Sequence, residues 1–322
     1  MKLIFYFLLM SGIIPAQTNL IPNGSFEDHV ACPYDFSFGV DELSKATGWH
    51  SVGPSPDYFH TCATATNVGI PNNFFGAQMP FQGNAYAGMY SYYAHPTDSN
   101  IRETIGAKLT TTLTIGQKYY VKMNVSLGEG YSTSGAAIDK FGLRFTTIRH
   151  NDTILSPINN FAHLSSPIHL ADTINWMTLF TSFTADSAYK YVEIGNFFDD
   201  AHTSVQILKP NQGVAYYFVD AVCLSTDSMY TLNSDGTTTG LGKEITRIPF
   251  TISPNPTNGM LTIINNLQGN SNFSIIDVTG KEVHTFSTEK SISETIDISF
   301  LSSGLYLLKH KESSKSILFV KE

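Results

Sequence analysis

The segment Ser55–Cys62, "SPDYFHTC", places Asp57 and His60 close together in the chain. An aspartate beside a histidine could serve as a base and its orienting partner. Further carboxylates are Glu103, Glu129, Asp139, Asp199 and Asp200. Glycoside hydrolysis needs two such groups facing one cleft, about 5–10 Å apart. None of these residues sits in a motif that fixes a partner. Asp199 and Asp200 are adjacent, and adjacent strand residues point to opposite faces. No G-x-S-x-G, H-E-x-x-H or P-loop is present. "GEGYSTSG" (Gly128–Gly135) follows a strand pattern without an evident helix, so phosphate binding has no support. A structured loop with a satisfied histidine is the simpler reading of "PDYFHTC", and the chain is expected to be non-catalytic.

A second chemistry is aromatic stacking on a sugar. Trp49, Tyr58, Tyr86, Tyr90, Tyr92, Tyr93 and Tyr131 lie in or near loop-like sequence. The densest stretch is "MYSYYAHP" (Met89–Pro96). Trp49, Tyr58, Tyr90 and Tyr92 are the candidate ligand-binding residues, with core packing as the competing role. Trp176 falls on a strand pattern and is expected in the core. The chain has 3 cysteines. Cys32 and Cys62 occupy Pro-, Gly- and Ser-rich sequence, whereas Cys223 sits inside the apolar run "YYFVDAVCL". One disulfide, Cys32–Cys62, plus one buried thiol is the expected arrangement, with three reduced thiols as the alternative. A bridge closing a loop of that length contributes about 3–4 kcal/mol in the chain-entropy picture. No CxxC or His/Cys spacing for zinc appears.

The elements that carry these residues are strands. "KYYVKMNVSL" (Lys118–Leu127) alternates, with Tyr119, Val121, Met123, Val125 and Leu127 on one face. "FGLRFTTI", "WMTLFTSFTA", "KYVEIGNFF" and "VAYYFVDAVCL" behave similarly. Over 322 residues, charged residues reach only 14% while aromatics reach 12%. The fold class is therefore all-β, with room for two domains. The net charge is −8 and there is no basic stripe, which argues against nucleic acid as a partner.

The first residues, "MKLIFYFLLMSGIIPAQTN", combine Lys2, a short apolar run and Ala16 before a cleavage point. Residues 1–16 are expected to be a signal peptide. No later run is long and apolar enough for a transmembrane helix, so none is expected in the mature protein. From Ser225 to Ile248 periodicity fades into Ser, Thr, Gly and Asp. The boundaries are therefore a first domain over 18–226, a linker over 227–248 and a second domain over 249–322. Short Asp-Thr/Ser motifs at Asp152, Asp172, Asp186 and Asp227 match an O-glycosylation pattern of three residues, a weak pointer.

"NLIPNGSFE" (Asn19–Glu27), "ATGWH" (Ala46–His50) and "YYFVDAVCL" together resemble carbohydrate-binding-module-type jelly rolls with the galactose-binding-like fold. "SPDYFHTC", "GIPNNFFGAQ" (Gly69–Gln78), "GNAYAGMY" (Gly83–Tyr90), "IRETI" and "EIGNFF" resemble a group of secreted proteins of gliding-type bacteria. The resemblance implies a jelly-roll β-sandwich that binds glycan or another cell-surface component. It also implies a structural Ca²⁺ held by Glu27, Asp220 and backbone oxygen at Ser25, with Asp28 as an adjacent alternative. Two carboxylates plus carbonyls suit this ion.

The last segment resembles a type IX secretion system C-terminal sorting domain, type A, in four ordered motifs. These are "PNPTNG" (Pro254–Gly259), "IIDVTGKEV" (Ile275–Val283), "GLYLLKH" (Gly304–His310) and "LFVKE". The motif residues are Pro254, Asn255, Pro256, Gly259, Gly304, Tyr306 and Lys321. The resemblance implies a small Ig-like sandwich read by the secretion machinery. The product would pass through the periplasm and be released or attached at the outer-membrane surface. A polysaccharide hydrolase and a structural adhesin are the rival readings of the first domain.

Overall fold

The computed structural model describes residues 18–38, 40–94, 100–130, 135–151, 156–210, 213–236, 250–265, 271–278, 280–288, 293–311 and 316–322. The expected signal peptide, Tyr131 and Asp152 lie outside the described residues.

Two five-stranded antiparallel sheets face each other in the first body. Sheet one runs β1 (Trp49–Ser51), β6 (Thr104–Lys108), β12 (Tyr191–Asn196), β9 (Phe141–Thr146) and β10 (Leu164–Ser165). Sheet two runs β11 (Met177–Thr184), β7 (Lys118–Leu127), β14 (Val214–Ser225), β5 (Ala85–Tyr93) and β2 (Asp57–His60). Two small antiparallel pairs complete it, β3 (Asn72–Asn73) with β4 (Gly76–Ala77) and β8 (Ala136–Ile138) with β13 (Val205–Ile207). The inward faces supply one core. Tyr119, Val121, Met123, Val125 and Leu127 of β7 meet Ile105, Leu143, Phe145, Val192 and Ile194 of sheet one. The alternation read from the β7 sequence is thus the real inward face.

Sheet two is covered on its outer face as well. Phe59, Tyr86, Tyr216 and Phe218 project outward and pack with Val68 and Phe75 from the connection between β2 and β5. All of β14 is consequently buried. A strand buried on both faces reads as a continuous apolar run, as "VAYYFVDAVCL" does. Two irregularities change which face a residue meets. Pairing of β14 with β5 shifts between Ala215 and Tyr216, and pairing with β7 shifts between Asp220 and Cys223. An extra residue on one strand reverses the side-chain parity beyond it.

The linker composition hides an ordered end. Asp227 caps a short helix, α1 (Ser228–Asn233), by accepting from the Tyr230 N–H. Capping is a sufficient structural role for the Asp227 motif. Beyond it, the buried Lys122 ammonium donates to the carbonyls of Leu232 and Ser234. Asn19 donates to Val222 O and Gly236 O and accepts from the Ile21 and Leu224 N–H groups. The first body therefore runs to Gly236 and not to residue 226. Local polarity signalled a linker, but between Asp227 and Gly236 backbone carbonyls bond to Lys122 and Asn19 of the sandwich.

The second body is a seven-stranded sandwich. Its sheets are β15 (Phe250–Ser253), β16 (Met260–Asn265) and β19 (Ser293–Asp297), and β18 (Glu282–Thr288), β17 (Ser271–Asp277), β20 (Gly304–His310) and β21 (Ser316–Lys321). Phe250, Leu261, Ile263, Phe273, Ile275, Leu308 and Phe319 fill the space between them. The Asn19 side chain joins the first strand region, β14 and the Gly236 end of the first body. Asn19→Ala is expected to lower the unfolding free energy of that body by about 2–4 kcal/mol, measured by urea denaturation.

Candidate functional site

Asp57 and His60 do not form a pair. They sit on β2 with opposite parity. Asp57 accepts from Tyr216 OH (2.8 Å) and Ser37 N (3.0 Å) under the outer layer. His60 lies beside Tyr58 and His29, and its Nδ1 accepts from Cys62 N at 2.9 Å. Burial lowers its pKa, and His29 adds to the shift. Strand alternation thus separates the two side chains. The other carboxylates are also dispersed. Asp200 pairs with Arg102 at 2.7 Å, Asp199 with His202, and Asp139 with Lys140, while Glu129 accepts from Thr173.

The fold brings Asp57 to Glu103 instead. Glu103 accepts from Ser55 Oγ (2.6 Å) and Tyr90 N (2.8 Å), and its charge acts on Asp57. Both residues are buried, at 3% exposure each. Both carboxylates are excluded from solvent and bonded to internal donors. Desolvation raises the pKa of both groups, and the Glu103 charge adds to the rise at Asp57. No motif in the sequence links these two residues; β2 pairs with β5, and Glu103 accepts from Tyr90 of β5.

The four candidate ligand aromatics divide. Trp49 is 3% exposed and donates from Nε1 to Asn23 O at 2.9 Å. Tyr58 is fully buried and donates to Phe26 O at 2.9 Å. Phe26 stacks on Trp49 with centroids 4.7 Å apart. The "NGSFE" and "TGWH" motifs are therefore one structural joint, and neither Trp49 nor Tyr58 can meet a ligand. Tyr90 and Tyr92 would share a face on a regular strand. The shift at Ser91 separates them: Tyr90 packs with the outer aromatic layer and Tyr92 with the inner core. Tyr92 also lies under the Arg102 guanidinium at 5.1 Å. Trp176, expected in the core, is half-buried against that outer layer and donates to Met79 O.

The two most exposed aromatics among the described residues lie just after Cys32. Phe38 is 91% exposed and Tyr34 72%, with Val30 and Val40 exposed nearby in the chain. Phe36 between them turns inward onto Phe74 and Phe75. The segment is pinned by the Cys32–Cys62 disulfide, by Tyr34 N to Glu42 and by Ser37 N to Asp57. Cys223 is a free, buried thiol, and desolvation pushes its pKa up to about 11.

Glu27 and Asp220 converge on one turn. Glu27 Oε1 accepts from Asn84 N (2.7 Å) and Ala85 N (3.0 Å), and Asp220 Oδ2 from Gln82 N (3.0 Å). Asp220 is fully buried, and its pKa is raised by desolvation, with a further push from Glu27. Ser25 is buried beside them in the Asn23–Phe26 turn. All four carboxylate oxygens accept N–H groups, Glu27 Oε2 from Asn84 Nδ2 and Asp220 Oδ1 from Ala221 N among them, so a divalent cation would share these oxygens with the donors and backbone carbonyls would have to complete its shell.

Asp57 and Glu103 have a definite pH consequence. A carboxyl whose pKa is raised on folding is neutral in the folded chain after its unfolded counterpart ionises, at about pH 4. Its stabilising contribution is whole below that pH and is lost as pH climbs toward the raised folded value. Unfolding free energy should therefore fall between pH 5 and pH 8, and Asp57→Asn should flatten that slope, as read from urea titrations across the range.

In the second body, the "PNPTNG" stretch is sewn to the last strand. Asn255 donates to Leu318 O and accepts from Val320 N, Thr257 N donates to Val320 O, and Glu322 N donates to Thr257 O. Thr257 also bridges Lys321 in parallel. Gly259 has φ of 145°, a conformation that favours glycine. Tyr306 packs on Phe319 across β20 and β21, and Gly304 opens β20. Residues 251–321 match the family model described as "Secretion system C-terminal sorting domain". No curated protein matches the chain. Among solved structures, the K3 cleaved adhesin domain of Lys-gingipain from Porphyromonas gingivalis is similar at 10% identity and a TM-score of 0.29, covering 63% of this chain and 97% of that one. The adhesin domain of Epf from Streptococcus pyogenes gives 12% identity and a TM-score of 0.23, covering 95% and 96%. Likenesses this distant carry no argument about ligand. The C-terminal unit is a type IX secretion system C-terminal sorting domain, and the chain is cargo for export, to the medium or to the cell surface.

Proposed function

We propose that the exported chain is a non-catalytic binding protein whose first body contacts glycan or another cell-surface component. One observation carries this reading: Tyr34 and Phe38 stand exposed on a segment held by a disulfide and by two backbone-to-carboxylate hydrogen bonds. Rigid, outward aromatic rings offer a stacking face at low entropic cost. The hydrolase reading draws no support from Asp57, His60 or Glu103, whose partners are internal. Tyr34→Ala and Phe38→Ala are expected to reduce binding on a glycan array and to whole cells at least tenfold, with an unchanged melting temperature. Undiminished binding by both variants would remove this face from the function.

The same reading includes a structural calcium. Glu27, Asp220 and the Ser25 carbonyl would hold it, and its charge would offset the repulsion between the two carboxylates. Saturating Ca²⁺ should then raise the melting temperature by several degrees over the chelator-treated protein, since a ligand at about 100 times its Kd adds about 2.7 kcal/mol. Asp220→Asn should abolish the difference.

A further inference from the structure

The Cys32–Cys62 disulfide has a third neighbour. His29 Nε2 lies 3.9 Å from Cys62 Sγ, and the donor atoms of His29, Cys32 and Cys62 all fall within 4.8 Å of one another. The imidazole is not free to choose its tautomer. Its Nδ1 sits 3.0 Å from Glu27 O, a carbonyl that can only accept, so Nδ1 carries the proton. The Nε2 lone pair is thereby left facing the sulfurs. A backbone carbonyl fixing one ring nitrogen while the other points inward is the usual support of a metal-ligating histidine.

We propose that His29, Cys32 and Cys62 form a site for a zinc-class ion whenever this disulfide is reduced. A dithiol reductant supplies two electrons and two protons, turning the disulfide into two thiols and itself into a disulfide. The incoming Zn²⁺ then displaces both thiol protons. Two thiolates balance its charge, and one neutral imidazole supplies the third ligand. The fourth position is left to water or an added ligand, the pattern of an open site. His60 is not counted, because its Nδ1 is occupied by the Cys62 N–H.

The two cysteines stay close without the covalent bond because their segments are anchored separately. On one side, His29 bridges Ala46 and Val30 N donates to Lys45 O. On the other, Thr61 N donates to Asn84 O and Ala63 N to His60 O. The pin beneath Tyr34 and Phe38 would thus survive in either redox state, covalent when oxidised and metal-bridged when reduced.

The test uses the full chain reduced with a phosphine and titrated with Zn²⁺, and with Co²⁺ as a spectroscopic probe. The reduced protein is expected to bind one Zn²⁺ and to show a thiolate-to-cobalt charge-transfer absorption. Its melting temperature should rise with Zn²⁺, while the oxidised protein should show none of these effects. His29→Ala should weaken Zn²⁺ binding 10- to 100-fold, and Cys32→Ser should lose the charge-transfer signal. Zn²⁺ uptake by the reduced protein that equals that of Cys32→Ser would overturn the proposal. So would a His29→Ala variant that binds as tightly as the parent; this solvent-facing change keeps the test open if Cys32→Ser does not fold.

Discussion

Burial of β14 on both of its faces is the constraint that organises the first body. A central strand with apolar side chains on each side needs two partners. Sheet one supplies the first. The second is assembled from connections, the small β3–β4 pair among them. Phe75, Val68 and Phe36 from the β2–β5 connection and its flanking loop provide it. At the other end of the strand, α1 and the stretch to Gly236 do the same work around Lys122. This cover is fastened by a disulfide and by carboxylates that accept backbone N–H groups.

That arrangement explains why polar residues are found where a catalytic reading would have wanted them. Asp57, Glu103, Glu27 and Asp220 each receive one or more backbone N–H groups from neighbouring segments. A buried carboxylate without such donors would cost several kcal/mol. Their role is to hold loops against the sandwich, with raised pKa values as the consequence of removing them from water. Most aromatics are used in the same way. Those near a strand become cover or core, and among the described residues the most exposed rings stand where the cover itself turns outward, at Tyr34 and Phe38.

The second body follows a different rule. Its opening stretch and its final strand bond to each other through Asn255, Thr257 and Glu322. The core of this body is small.

Much of this was legible in the residues. Alternation in Lys118–Leu127, the continuous run of β14 and the turn chemistry around Gly259 and Gly280 determined an all-β chain, because strand periodicity is a local property. The ordered motifs of the last segment likewise determined its export role, since they are read in sequence order. The candidate site was far less legible. Whether Tyr90 and Tyr92 share a face depended on one shifted residue at Ser91, and Asp57 found Glu103 rather than His60 because β2 lies beside β5 and near β6. The polar stretch after Thr226 looked like linker, yet it supplies carbonyls to a buried lysine from a distant strand. Pairing register and the cover over sheet two are long-range outcomes, decided by which surfaces must be kept from water, and no local pattern encodes them.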